Sequence, residues 1–260
     1  MGSATVQAPL WGQYPQEWAY IQEATGMAGY EYVLAHLRWR KGNRVLDAGC
    51  GSGLFASLAA AKGAVVTGLD AATPLINEAK KRAPGVTFVT GDLEELPFED
   101  NSFDIVTGFN SFQYAADVSQ AFTEARRVLQ PGGQLAAMIW GNKEDCESAT
   151  YLRAVGSLLP PPPPGAAGPF ALTEEHRLEK TLSSTGFTIT DVIDIPTLWD
   201  YPDLDTAMKG LLSAGPAVKA IQHSGYEKAY AVLSASAQPY VQSDGHVRYH
   251  NKFRVVLAQR

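Results

Sequence analysis

The chain has 260 residues, of which 45% are hydrophobic and 18% are charged, and its formal net charge is −6 at pH 7. These proportions are typical of a soluble globular protein, and the excess of acidic residues argues against a general binder of nucleic acids or anionic membranes. The two cysteines, Cys50 and Cys146, offer neither a disulfide framework nor a metal-site spacing, so we expect a cytoplasmic protein without a resident metal.

From residue 43 onward, short apolar runs alternate with helical patterns, which predicts a parallel sheet covered by helices on both faces. In chain order we expect strands at 44–49, 64–71, 86–92, 103–110 and 134–140, with helices at 54–63, 74–83 and 117–129. We then expect a helix at 173–186, a strand at 187–196, helical structure from about 203 to 242 and a last strand at 246–259. Thr173 is the expected cap of its helix, in a capping-box pattern with His176 where Glu is usual.

Two long segments, 142–172 and 201–246, interrupt this alternation and are too long to be simple connections. The first contains five successive prolines at 160–164, which exclude the interior of a helix or a sheet. These prolines fit either a polyproline motif for a partner or the edge of a cap, and the cap is the favoured interpretation. We expect both segments to cover the open end of the sheet, where ligands of such folds bind.

The stretch VLDAGCGSG at 45–53 ends a predicted strand and places Gly49, Gly51 and Gly53 within five positions. A turn this rich in glycine lets a ligand press against the main chain. Starting at Gly51, the stretch also fits a relaxed dinucleotide-binding fingerprint, because Gly53 and Ala56 fall at the right offsets. The glycines alone therefore predict a cofactor site and leave its cofactor open.

Four stretches in order, VLDAGCGSG, VVTGLDAA, VTGDLEELPFEDNSFDIV and RVLQPGGQL, resemble the class I S-adenosylmethionine-dependent methyltransferases, in particular small-molecule enzymes of the methyltransferase-11 type. The resemblance covers about residues 36–141. It implies an α/β fold with a doubly wound, seven-stranded, mostly parallel sheet, whose last strand is antiparallel and inserted beside the fifth. It also implies that 1–35 form an N-terminal lid, 36–141 the cofactor-binding core, 142–172 and 201–246 a cap, and 173–200 and 247–260 the rest of the core.

The cofactor implied by this resemblance is S-adenosylmethionine, with S-adenosylhomocysteine as its product. Asp47 would repel a pyrophosphate but attract the ammonium of a methionine moiety, while loop amides meet its carboxylate. Asp70 ends the second strand, where it is expected to accept the ribose hydroxyls, and Asp92 resembles the acid that receives the adenine amino group. A solvated strand end for Asp47 and an exposed loop carboxylate for Asp92 are the ordinary alternatives. The residues expected to bind the cofactor are Tyr14, Asp47, Gly49, Cys50, Gly51, Gly53, Asp70, Ala71, Asp92, Leu93 and Asn110.

For the acceptor, the resemblance indicates Gln113 and Tyr114, which follow the fourth strand, and Trp140, which ends the fifth. Many relatives carry a His at the place of Tyr114, so a histidine base from this loop is not expected here. His223, in the cap, is the candidate base, with a surface histidine as the ordinary alternative. Trp11, Tyr14 and Trp18 fit either a lid over the cofactor or the packing of an N-terminal helix.

These features predict transfer of a methyl group to an O, N or C nucleophile of a small aromatic or apolar molecule. No nucleic-acid or membrane partner is expected, and a homodimer is compatible with the sequence. Two alternatives remain open, a non-methylating cyclase or isomerase on the same fold and a cofactor-binding protein without catalysis.

Overall fold

The computed structural model describes residues 2–161 and 168–260, and part of the proline run lies outside this description. Seven strands form one sheet in the order β3-β2-β1-β4-β5-β7-β6. The strands are β1 Arg44–Ala48, β2 Val65–Asp70, β3 Thr87–Thr90, β4 Phe103–Phe109, β5 Leu129–Trp140, β6 Thr188–Tyr201 and β7 Val247–Gln259. The first five pair in parallel, and β7 lies antiparallel between β5 and β6. The predicted sheet is therefore confirmed, including the inserted last strand.

Eleven α-helices lie in the described parts of the chain. They are α1 Ala4–Trp11, α2 Pro15–Glu17, α3 Met27–His36, α4 Leu54–Ala61, α5 Thr73–Arg82, α6 Val118–Val128, α7 Ala149–Ser157, α8 Arg177–Ser184, α9 Leu204–Ser213, α10 Gly215–Ser224 and α11 Tyr226–Ala237. Between α2 and α3 the chain forms a π-helical turn, Trp18–Gln22, and a 3₁₀ turn, Glu23–Gly26. None of the described helices is long and apolar enough to cross a bilayer.

The sheet is covered on both faces, as its apolar strands predict. Val45 and Leu46 are adjacent in β1 and fully buried, yet they belong to separate hydrophobic clusters because successive side chains of a strand point to opposite faces. One cluster includes residues of α3, α4 and α5, and the other includes residues of α6 and α8. The helices thereby hold the carboxyl ends of the central strands in a fixed arrangement.

Several predicted elements differ in the structure. Strand β5 begins at Leu129 instead of residue 134, and β6 ends at Tyr201 instead of residue 196. The helical stretch expected from about 203 to 242 is three helices, because Pro216 interrupts the helix after α9 and Gly225 adopts a φ of +86°. Thr173 does not cap a helix, since its hydroxyl donates to the carbonyl of Trp140. Helix α8 begins instead after Glu175 and His176, both of which have positive φ.

Cap helices α7, α9, α10 and α11 pack against one another. The cap also supports the N-terminal part of the chain, because α9 packs on the π-helical turn and α10 packs on α1. It therefore lies behind the N-terminal helices at one side, while it also contacts strands β6 and β7 of the sheet.

Candidate active site

A cavity of about 830 Å³, its open mouth included, lies at the carboxyl ends of β1, β2 and β4. Ligand sites commonly have this size, and they lie where the strand order reverses, which here is between β1 and β4. We call the strand-end side of the cavity its floor; Gly49, Gly51, Asp70, Asp92 and Asn110 belong to it. We call the N-terminal side its roof, which consists of residues between Ser3 and Tyr30.

The glycine-rich turn requires its glycines. Gly49, Gly51 and Gly53 have φ values of +79°, +53° and +78°, which side chains rarely tolerate. A Cβ on Gly49 would lie 2.2 Å from the Cβ of Ser111, and one on Gly51 would lie 2.9 Å from Oε1 of Glu23. Gly49 and Gly51 line the cavity, whereas Gly53 faces helix α5 and β3, where close packing excludes a side chain.

Asp70 lies at the end of β2 and lines the cavity. Its Oδ2 accepts the N–H of Gly51 at 2.9 Å and its Oδ1 accepts the N–H of Ala72 at 2.8 Å. Burial raises the pKa of Asp70, and these hydrogen bonds oppose the rise. The carboxylate thus holds the glycine turn and the start of the next loop together, at the place predicted for the ribose.

Asp47 lies behind the glycine turn and not on the cavity wall. The residue is 1% exposed, so it is not a solvated strand end. Its Oδ1 accepts the hydroxyl of Thr107 at 3.0 Å, and its Oδ2 has no partner. Burial, with added repulsion from Glu23 and Asp70, raises the pKa of Asp47 to about 7. A cationic ligand would favour the ionised form of this side chain.

Asp92 joins the floor to the roof. Its Oδ2 accepts the N–H of Ala4, at the start of α1, at 3.1 Å, and its Oδ1 accepts the N–H of Glu94 at 3.0 Å. Glu94 in turn accepts the N–H of Ser3 at 2.7 Å. Asp92 is half-buried and lines the cavity beside Leu93, so it is not an exposed loop carboxylate.

Two of the three N-terminal aromatic residues line the roof. The rings of Trp11 and Trp18 are 4.9 Å apart, and the ring of Trp11 is 5.0 Å from that of Tyr114. Tyr14 lies instead at a second cavity of about 440 Å³, between the N-terminal helices and the cap. The roof is therefore aromatic where it meets the loop after β4.

The roof also contains a charged residue that sequence reasoning missed. Glu23 is 4% exposed, accepts the N–H of Ser52 at 2.9 Å and forms an ion pair with Arg82 of α5. Arg82 also donates to the carbonyl of Ser52 at 2.8 Å. Burial raises the pKa of Glu23, and the nearby guanidinium opposes the rise. The available signal was that Glu23 is one of only two charged residues, with Glu31, in the stretch 19–34.

Several predicted site residues do not reach the main cavity. Cys50 is buried beneath the glycine turn, and Gln113 and Tyr14 are not among the lining residues. Trp140 lies in the core, with its ring 5.2 Å from that of Phe253 and 5.5 Å from that of Trp199. Because His223 is exposed at the end of α10, the structure does not support it as a base for this cavity.

The predicted roof over the site is also corrected. Within residues 142–161, 168–172 and 201–246, no side chain lines the main cavity, because the N-terminal helices lie between the cap and the strand ends. The expected positions of Gly49, Gly51, Asp70, Ala71, Asp92, Leu93, Asn110 and Tyr114 all fall on the cavity wall.

The cavity fits an adenosine that carries an amino acid better than it fits a dinucleotide. Three acids, Glu23, Asp70 and Asp92, line it, and the described lining residues include no Lys, Arg or His to neutralise a pyrophosphate. Two residues that line the cavity carry a buried polar atom without a hydrogen-bond partner in the protein, Oδ1 of Asn110 and Nε1 of Trp18. Such atoms are costly unless a ligand engages them. Across the described ranges, no group of three or more His, Cys, Asp or Glu could hold a metal ion.

Comparison with known proteins agrees with this fit. Residues 46–137 match the family described as methyltransferase domain. The malonyl-(acyl-carrier protein) O-methyltransferase of Erwinia pyrifoliae is 31% identical over 194 residues, which cover 71% of this chain and 66% of that protein. The 27-O-demethylrifamycin SV methyltransferase of Amycolatopsis mediterranei is 35% identical over 140 residues, covering 49% of this chain and 51% of that protein. The chain thus spans less than two thirds of the length of either relative.

Among solved structures, the (4+2)-cyclase SpnF has a TM-score of 0.58 at 21% identity, covering 89% of this chain and 80% of that one. This likeness shows a shared fold. Sheet order, the glycine turn with its acids, and the relatives agree: the chain belongs to the class I S-adenosylmethionine-dependent methyltransferases.

Proposed function

We propose that the protein transfers the methyl group of S-adenosylmethionine to an O, N or C nucleophile of a small, uncharged aromatic or apolar molecule. The observation that carries the proposal is a single cavity that combines Asp70 at the end of β2 and Asp92 after β3 with an aromatic wall formed by Trp11, Trp18 and Tyr114. The first two residues suit a nucleoside, and the aromatic wall suits a flat or apolar acceptor.

Asp70 would hold the ribose, Asp92 and Leu93 would hold the adenine, and Asn110 would face the methionine end. Bound S-adenosylmethionine supplies a methyl group that is already activated by the positive sulfonium. The protein therefore has to orient the acceptor and exclude water, which at best contributes about 7–11 kcal/mol. The roof residues between Ser3 and Tyr30 are placed to do this.

The charge of the wall bears on the acceptor. Asp70 and Asp92 would repel a carboxylate or phosphate, and the described lining residues include no cationic side chain to compensate, whereas Arg82 offsets the charge of Glu23 from behind the wall. An uncharged acceptor therefore fits better than an anionic one. Because those lining residues also include no histidine or lysine, we expect orientation, rather than a dedicated base, to carry most of the rate.

The test has two parts. Calorimetry should detect binding of S-adenosylmethionine and S-adenosylhomocysteine and no binding of NADH; tight NADH binding without a response to either sulfur ligand would contradict the cofactor assignment. Incubation of metabolite pools with isotope-labelled methyl donor should then yield a labelled small product. Methylation of RNA or protein but of no small acceptor would contradict the acceptor class.

A non-methylating reaction is the second candidate, because the fold is shared with the cyclase SpnF. Product mass separates the two: a methylated product is heavier than its substrate by one CH₂ unit, and a cyclised isomer has the same mass. An isomeric product formed without consumption of the methyl donor would indicate cyclisation instead of methyl transfer. Binding without any product would leave a cofactor-binding protein.

A further inference from the structure

The main-chain N–H groups of the glycine turn are not free to bind the carboxylate of a methionine moiety. Each of the five N–H groups from Gly49 to Gly53 already has an acceptor inside the protein. Gly49 and Cys50 donate to the carbonyl of Leu69 at 2.7 and 2.9 Å, Gly51 to Asp70, Ser52 to Glu23, and Gly53 to the carbonyl of Cys50, the last three all at 2.9 Å. The carboxylate therefore needs a donor other than the loop amides that the sequence-based expectation assigned to it.

The indole of Trp18 offers that donor. Its Nε1 atom is buried and has no hydrogen-bond partner, although an indole N–H in the interior normally has one. A Cβ built on Gly51 would lie 3.1 Å from this nitrogen, so the N–H group lies directly against the glycine turn. Trp18 also lines the cavity.

The charges around the indole permit an anion there. The carboxylate of Glu23 is close to the same face of Gly51, but Arg82 pairs with it and so offsets its negative charge. On the same cavity wall, Oδ1 of Asn110 is a buried acceptor without a partner. An unpaired N–H group and an unpaired oxygen match the two charged ends of an amino acid, which supplies an acceptor and a donor respectively.

We propose that Nε1 of Trp18 donates the hydrogen bond that holds the carboxylate of the cofactor's methionine moiety. The inference rests on the proposed function, because it assumes S-adenosylmethionine in this cavity. It assigns to the roof a contact that the glycine turn supplies in the sequence-based prediction. It also makes the position of the N-terminal helices a determinant of cofactor binding.

Calorimetry with two ligands tests the assignment. S-adenosylhomocysteine carries the carboxylate, and its decarboxylated analogue keeps the amine but lacks that group. Trp18→Phe should weaken binding of S-adenosylhomocysteine by about tenfold or more, the usual loss of a hydrogen bond to a charged group, and should leave binding of the analogue unchanged. Trp39→Phe is the matched control and should leave both affinities unchanged, since Trp39 does not line the cavity and its Nε1 donates to the carbonyl of Val33 at 3.2 Å.

A Trp18→Phe protein that keeps the wild-type ratio of the two affinities overturns the assignment. This holds whether both affinities are unchanged or both fall equally, and an equal fall indicates a packing role. If Trp18→Phe fails to fold, incorporation of β-(3-benzothienyl)alanine at position 18 replaces the N–H by sulfur and keeps the ring outline; an unchanged preference for S-adenosylhomocysteine there is equally contrary. A wild-type protein that binds neither ligand contradicts the proposed function itself.

Discussion

The floor of the cavity consists of the ends of parallel strands, whereas its roof is a succession of short helices and turns between Ser3 and Tyr30. Floor residues are held by neighbours on the adjacent strands, as when Asp70 accepts the N–H of Gly51. Roof residues are held by contacts distant in sequence, such as Ala4 with Asp92 and Glu23 with Ser52. The two sides of this one cavity therefore have different origins: strand topology determines the floor, and contacts between distant segments determine the roof.

The largest expected effect concerns the floor. Asp70→Ala should weaken binding of S-adenosylhomocysteine by about a hundredfold or more, because two charge-assisted hydrogen bonds of about 1.5–3 kcal/mol each are lost. Calorimetry measures the change, and Asp205→Ala is the control, since that carboxylate is 70% exposed in α9. Unchanged affinity in Asp70→Ala would place the ribose elsewhere.

The second largest effect is expected at the ion pair of Glu23 with Arg82, which joins the roof to helix α5. Arg82→Met leaves the carboxylate of Glu23 buried without its cation, so we expect the free energy of unfolding to fall by about 3 kcal/mol. Lys80→Met, at an exposed neighbouring position of α5, should change it by less than about 0.5 kcal/mol. Denaturant titration measures both.

A second variant sharpens this result. Adding Glu23→Gln to Arg82→Met removes the uncompensated charge and should recover part of the loss. No recovery would mean that Arg82 acts through its hydrogen bonds to Ser52 and Ala19 instead of through its charge.

The pH dependence of stability distinguishes the buried acid behind the floor, Asp47, from an acid near the surface. Folded Asp47 has a pKa of about 7, whereas an unfolded aspartate has a pKa of about 4. Between these values the folded state keeps a proton that the unfolded state has released, so the free energy of unfolding falls as the pH rises from about 4 to 7.

Asp47→Asn should remove this contribution. Without ligand, its stability relative to the wild type should increase by about 2 kcal/mol between pH 5 and 7, as measured by urea denaturation at each pH. Asp104→Asn is the control: its partial burial is outweighed by hydrogen bonds from Arg44 and Asn43, which lower the pKa of Asp104 and give no such slope above pH 5. Parallel pH profiles for wild type and Asp47→Asn would contradict the raised pKa.

The smallest expected effect lies outside both regions. His223→Ala should leave affinity for S-adenosylhomocysteine, and turnover of an identified acceptor, within about twofold from pH 6 to 9, because the side chain is exposed on α10. A loss of turnover at low or high pH would bring His223 back as a base and would require the cap to move.

Sequence reasoning anticipated the sheet and the placement of Asp70, Asp92 and Asn110 because apolar runs define strands and strand ends share one edge. It missed Glu23 because this residue lies in a 3₁₀ turn that follows a π-helical turn, where no regular spacing separates buried from exposed positions. Trp140 was misplaced for a related reason. A tryptophan at a strand end packs equally well on a ligand or on other parts of the protein, and here the rings of Phe170, from the segment 142–172, and of Trp199, from β6, pack on it.

Glu94 links the start of α1, in the roof, to the start of α6. This carboxylate accepts the N–H of Ser3 just before α1 and the N–H of Asp117 just before α6, each at 2.7 Å. One negative charge therefore neutralises the positive ends of two helix dipoles. Displacing α1 would cost Glu94 its bond from Ser3 and Asp92 its bond from Ala4, so charge-assisted hydrogen bonds oppose opening of the roof. The dwell time of a nucleoside in this cavity should consequently shorten as ionic strength rises.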